Sequence, residues 1–210
     1  MTRRLTATLA TLTISACLAG CAGRARFPAY YTLHVPPSVD APIAGGNRPS
    51  LAVREFRSPA YLHQGAIVYR TSSEQIGFYQ YHRWAVDPRE FLTNAIIDRL
   101  RATAKFAEVK IYDGHSDVDF ILSGRLEKLE EVDYEGGVRA EVALSAQMTD
   151  LRSGKTVWAN AASESERVEK RNVPAVVAEI SQAMDHAVQK LLASLTVSTT
   201  TSLEPRKDSP

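Results

Sequence analysis

Val138-Arg139-Ala140-Glu141-Val142-Ala143-Leu144-Ser145-Ala146-Gln147-Met148-Thr149-Asp150 is the stretch that decides how this chain folds. Val138, Ala140, Val142, Leu144, Ala146 and Met148 alternate with Arg139, Glu141, Ala143, Ser145, Gln147 and Thr149. A period of two puts the first set on one face of a pleated strand and the second set on the other. One face is apolar and the other mostly polar, as in an antiparallel sheet covered on one side. Upstream, Glu135-Gly136-Gly137 separates this strand from Phe120 to Tyr134, which reads as its partner. Downstream, Arg152-Ser153-Gly154-Lys155 forms a turn into a last strand from Thr156 to Ala162 carrying Trp158.

Two helices flank this run. Asp87-Pro88 supplies a cap and a first-turn proline, and Phe91, Leu92, Ala95, Ile96 and Leu100 then share one face. From Pro174 onward, Val177, Ile180, Ala183, Met184, Ala187, Val188, Leu191, Leu192 and Leu195 recur at three- and four-residue steps. Strands are also expected at Tyr30–Val35, Ser50–Phe56 and Glu108–Tyr112, with a hairpin of 66–70 and 75–84 across Thr71-Ser72-Ser73-Glu74. This order predicts an α+β fold: a single domain with a mostly antiparallel sheet and two main helices packed on one face.

The N-terminus carries different information. Arg3-Arg4 precedes an apolar run from Leu5 to Leu18, and Leu18-Ala19-Gly20-Cys21 closes it. The quartet resembles a bacterial lipobox, with Leu18, Ala19 and Gly20 recognised by the signal peptidase and Cys21 carrying the acyl chains. The apolar run, broken by Thr6, Thr8, Thr11 and Thr13, is short for a membrane-spanning helix, which needs about 20 mostly apolar residues. A soluble protein released by an ordinary signal peptidase is the alternative reading. The expected organisation is a signal peptide at 1–20, a lipidated tether at 21–29, the α+β domain at 30–196 and a disordered tail at 197–210. Ala22, where inner-membrane lipoproteins often carry Asp, resembles sorting to the outer membrane, with the domain facing the periplasm; the inner membrane stays open as an alternative.

Composition narrows the function. The two cysteines are Cys17, inside the signal, and Cys21, so no disulfide is expected and the core must supply stability. Formal net charge is +1, and removing residues 1–20 takes away Arg3 and Arg4. A near-neutral chain without a basic cluster argues against a nucleic-acid partner. No Gly-x-Ser-x-Gly elbow, phosphate loop, His-Glu-x-x-His or paired-cysteine motif occurs, and the five histidines lie in separate segments. Asp113, His115, Asp117 and Asp119 lack the spacing of a calcium loop and read as a polar turn. Neither a catalytic residue nor a metal or cofactor is expected.

Three ordered patterns carry a resemblance. They are Tyr30-Tyr31-Thr32-Leu33; Ile67-Val68-Tyr69-Arg70 followed by Ile76-Gly77-Phe78-Tyr79-Gln80-Tyr81-His82-Arg83-Trp84-Ala85; and Asp117-Val118-Asp119-Phe120-Ile121-Leu122-Ser123-Gly124-Arg125-Leu126. Behind a lipobox, this set resembles the ABC-type transport auxiliary lipoproteins, the paraquat-inducible protein C-like family. The resemblance implies a non-catalytic partner of a mammalian-cell-entry (MCE) domain protein and an inner-membrane ABC transporter, moving lipid between membranes, with a homo-oligomer as an option. Read from the residues alone, a lipidated domain equally suits a helper of outer-membrane assembly or cell-wall synthesis, a lipidated hydrolase or a lipid carrier. Within Phe78–Trp84, simple alternation puts Phe78, Gln80, His82 and Trp84 on one face and Tyr79, Tyr81 and Arg83 on the other. Aromatic residues and Arg favour binding surfaces, which makes Tyr79, Tyr81, Arg83 and Trp84 the candidate partner contacts, against the alternative that they fill the core.

Overall fold

The computed structural model describes residues 26–36, 48–115, 117–134 and 136–195. Along the chain come β1 (Ala29–Tyr31), β2 (Ser50–Val53), a 3₁₀ turn (Ala60–Gln64), β3 (Ala66–Arg70), β4 (Ile76–Trp84), α1 (Pro88–Ala102) and β5 (Glu108–Ile111). There follow β6 (Phe120–Asp133), β7 (Val138–Asp150), β8 (Thr156–Arg167) and α2 (Val173–Ala193). The strands among the described residues form one sheet.

The spine of that sheet is the meander β6–β7–β8. β7 pairs antiparallel with β6 from Phe120↔Asp150 to Asp133↔Val138, and with β8 from Arg139↔Arg167 to Thr149↔Thr156. The other side of β6 is shared by two shorter parallel partners. β2 runs beside Phe120–Leu122 and β3 beside Glu130–Val132, with β5 continuing from β2, and β4 then β1 from β3. The α+β architecture is as expected, and its sheet is mixed. Long antiparallel hairpins carry most of the pairing, and three- or four-residue parallel pairs attach the outer strands.

Each helix starts where a side chain can satisfy its free amides. The Arg89 amide donates to Asp87 Oδ1 at 2.9 Å, and the Ala175 amide to Asn172 Oδ1 at 3.0 Å. Leu92, Ile96, Ile97 and Leu100 of α1 are buried, as are Val177, Ile180, Met184, Ala187, Val188 and Leu191 of α2. α2 lies across β7 and β8, so its stripe meets Val142, Leu144 and Met148. Burying each such side chain contributes roughly 1.5–3 kcal/mol. An Arg99–Asp185 ion pair ties the two helices together.

Three strand ends differ from expectation by more than one residue, each for a local reason. β1 stops at Tyr31, because the chain then crosses to α2, where the His34 amide donates to Ser181 Oγ at 3.1 Å and Leu33 is buried. β2 stops at Val53, and the Phe56 amide is taken by Thr93 Oγ1 of α1 at 3.0 Å. The Phe56 ring then lies over Gly124, where a Cβ would stand 2.3 Å from it, so only glycine fits. β8 runs on to Arg167 because its two inward carboxylates have partners on α2. Lys190 Nζ bonds Glu164 Oε1 and His186 Nδ1 bonds Glu166 Oε1, both at 2.8 Å.

Candidate functional site

The β3–β4–β1 limb holds the four residues expected to meet a partner. Its hairpin turns at Thr71–Gln75, where the Arg70 guanidinium donates to Ser73 O at 2.8 Å. Pairing runs Arg70↔Ile76, Tyr69↔Gly77 and Val68↔Phe78, then resumes at Ala66↔Arg83. β4 therefore carries extra residues between Phe78 and Arg83 that β3 does not match, a bulge that breaks the alternation. The faces expected from strict alternation do not survive it. Tyr79 and His82 lie on one side, with ring centroids 5.7 Å apart in an edge-on contact.

Around that pair a half-buried aromatic cluster forms. Tyr31 on β1 reaches His82, with its hydroxyl 2.9 Å from Nδ1. The Tyr69 and Tyr79 rings stand 4.9 Å apart. Gly77 makes room for this, since a Cβ there would be 2.2 Å from the Tyr69 ring. The Tyr79 hydroxyl donates to Glu131 Oε2 at 2.7 Å. Burial pushes the Glu131 carboxyl above the usual carboxylate range, the Tyr79 hydrogen bond pulls it part of the way back, and nearby Asp133 raises it further. Burial, then the Glu131 hydrogen bond and charge, pushes the Tyr79 phenol up, so it stays a donor.

On the neighbouring strand positions, Arg70 grips Glu130 with two bonds, Nε to Oε1 at 2.9 Å and Nη2 to Oε2 at 3.1 Å. The Glu130 side chain is 0% exposed, so the bidentate pair compensates a charge withdrawn from water. Burial, and next the Glu130 charge, raise the adjacent Tyr61 phenol.

The candidate contacts thus fall into different environments. Tyr79 is committed to Glu131 and Tyr69. Tyr81 is half-buried under the Arg26 guanidinium, 5.1 Å from its ring centroid, and Arg83 donates to Gln64 O at 2.7 Å. Trp84 is a correction to the expected surface. It is 6% exposed and belongs to the core, at the end of β4 where its backbone pairs with Tyr31 of β1 and its amide bonds Gly65 O at 2.8 Å. Leu18, Ala19, Gly20, Cys21 and the 197–210 tail lie outside the described residues. In the Asp113–Asp119 segment, Asp119 accepts the amide and hydroxyl of Ser50 at 2.8 and 2.9 Å, and the His115 amide bonds Asp113 at 2.9 Å. The second is a turn contact and the first ties the start of β2 to the entry of β6; among the described residues no three His, Cys, Asp or Glu side chains are grouped to hold a metal ion.

Glu130, Glu131, Tyr69 and His82 were not singled out by sequence reasoning. The available signal was two adjacent carboxylates, Glu130 and Glu131, between Leu129 and Val132 in a strand, where one must face each side of the sheet.

Comparison with known proteins locates this fold. The model of the family described as ABC-type transport auxiliary lipoprotein component matches residues 31–191. No curated protein matches. Among solved structures, the protein XCC0632 from Xanthomonas campestris is similar with a TM-score of 0.67 at 16% identity, over 78% of this chain and 92% of that one. A protein described only as uncharacterized gives 0.63 at 16% identity, over 81% and 99%. A PelC dodecamer from Paraburkholderia phytofirmans is a looser likeness, 0.48 at 15% identity over 73% and 93%, and carries no argument. At such identities the first two establish shared architecture alone.

Proposed function

The chain belongs to the ABC-type transport auxiliary lipoprotein component family, and from that premise we propose that it is a non-catalytic, lipid-anchored subunit of an intermembrane lipid transport system. The observation that carries this reading is that the family match spans the whole folded domain, from β1 into α2. In this reading the peptidase cuts after Leu18-Ala19-Gly20, acyl chains on Cys21 hold the protein, and Ala22 directs it to the outer membrane facing the periplasm. No helix among the described residues is long and apolar enough to cross a membrane, and in this account the acyl chains on Cys21 are the anchoring group.

The proposed partners are an MCE-domain protein and, through it, an inner-membrane ABC transporter. Tethering holds the domain at high effective concentration near them, so a weak contact suffices. Tyr81 and Arg83, half-exposed on β4, are the proposed contact residues; Tyr79 supports them through Glu131. Self-association into a homo-oligomer would multiply that contact.

The test is co-purification from the native host of the tagged full-length chain in mild detergent, with membrane fractionation alongside. Recovery of an MCE-domain protein and a transporter permease, with the chain in the outer-membrane fraction, is the expected result. Recovery of cell-wall synthases without any MCE-domain protein would overturn the transport role. Cys21→Ala should release the chain from the membrane fraction; retention there would overturn the anchor.

A further inference from the structure

Among the described residues, the two most exposed large apolar side chains are Phe27 at 83% and Tyr30 at 62%, three positions apart. Isolated exposed apolar residues need no explanation. These two, however, sit where the domain meets its tether, and they have a basic companion. Arg26 is exposed, and its guanidinium lies over the Tyr81 ring, 5.1 Å from the centroid, which fixes the start of the described chain against β4. Tyr30 is held in turn by the parallel pairing of β1 with β4, opposite Arg83. Phe27 and Tyr30 thus lie just after the pinned Arg26, among the first of the described residues and on the Cys21 side of the domain.

Covalent geometry then limits where this cluster can be. Six chain steps join Cys21 to Phe27, and an extended chain spans at most about 3.6 Å per residue, so the two Cα atoms lie within about 22 Å of each other. Acyl chains on the Cys21 sulfur put it at the membrane surface. Aromatic side chains with a polar or cationic neighbour are the residues that settle at the boundary between headgroups and acyl chains.

We infer that Arg26, Phe27 and Tyr30 form a membrane-contact patch that lies in the headgroup layer beside the acylated cysteine and sets the orientation of the domain. This rests on the lipidation of Cys21 proposed above. Phe27 enters the acyl boundary, Tyr30 keeps its hydroxyl among headgroups, and Arg26 meets lipid phosphates. β5 attaches through β2 at the Phe120–Leu122 end of β6, whereas β1 attaches through β4 and β3 at the Glu130–Val132 end, so β5 is set apart from the patch along the length of β6. A single lipid tether allows a domain to tumble; a second, weaker contact beside it limits that tumbling and holds β1 and the adjoining part of β4 close to the membrane surface.

The experiment uses the full-length lipidated chain, reconstituted in phosphatidylethanolamine–phosphatidylglycerol vesicles. The native tryptophans, Trp84 and Trp158, are 6% and 9% exposed and give a buried background. Phe27→Trp and, separately, Tyr30→Trp add a reporter at the patch, and Ile111→Trp, at a 50% exposed site on β5, serves as the distant control. With brominated lipids, the added emission in Phe27→Trp and Tyr30→Trp should be quenched several-fold more than in Ile111→Trp, and aqueous acrylamide should show the reverse order. Vesicle flotation run beside it separates two failures. A chain that floats while its Phe27 and Tyr30 reporters behave like the Ile111 reporter overturns the patch and leaves the anchor standing. A chain that does not float overturns both.

Discussion

Every inward position of β7, from Val138 to Met148, is apolar and buried, whereas along β4 only Trp84 is buried. The two strands belong to one sheet, yet they are held by different forces. The β6–β7–β8 meander buries hydrocarbon under α2, a non-directional gain that depends on area. The β3–β4–β1 limb depends on directed contacts: the Arg70–Glu130 pair, the Tyr79–Glu131 bond and the Tyr31–His82 bond. The first kind of region tolerates change that keeps volume, and the second does not tolerate loss of a partner. The proposed contacts lie on the second, which fits a surface that must hold aromatic side chains half-exposed in fixed positions.

That contrast can be broken most forcefully at Arg70. Arg70→Met strands the buried Glu130 charge and should cost about 3–5 kcal/mol, while replacing both partners by Met should recover most of the loss. Urea unfolding of the single and double variants decides this; a single variant as stable as the parent would mean the limb does not rest on the pair. Leu144→Ala in the meander should cost about 2–5 kcal/mol by emptying volume under α2, with no rescue from a polar change. Its signature is a lower urea midpoint with hydrogen exchange raised across β6, β7 and β8 together.

Smaller effects sharpen the difference. Gly77→Ala forces the Tyr69 ring away from its place beside Tyr79 and should cost about 1–3 kcal/mol. Exchange should rise in β3 and β4 while β7 stays protected; uniform exposure of the sheet would deny the limb its local independence. Smallest is the effect of Glu131→Gln. Because the folded carboxyl binds its proton more tightly than the unfolded one, parent stability falls as pH rises from the ordinary carboxylate range through the raised value. The amide side chain of that variant cannot ionise and can still accept from the Tyr79 hydroxyl. The variant should match the parent at acid pH and exceed it above that window, as thermal melts across pH would show. A parent that instead gains stability through the window would reverse the assignment.

The meander and both helices were legible because their signals are local and regular. Val138–Asp150 displays its period of two without interruption, and Asp87-Pro88 announces the α1 start by capping chemistry alone. The limb was legible only as a hairpin. Its bulge lies in a run of residues that all suit a strand, so nothing in Phe78–Trp84 marks where β4 stops matching β3. Alternation therefore assigned Tyr79 and His82 to opposite sides, whereas the structure brings them together, and the residue types alone left Trp84 open as a surface contact although it is buried in the core.

By itself, the sequence determined the α+β class, the hairpins, the helix starts and the ordered motifs that identify the family, because each depends on residues near one another in the chain. Tertiary structure alone decided the parallel pairing of β1, β2 and β3, the faces of β4 and the partners of Glu130 and Glu131. Those contacts join residues fifty or more positions apart, and their energies exist only once the intervening chain has folded to bring the groups within hydrogen-bonding distance.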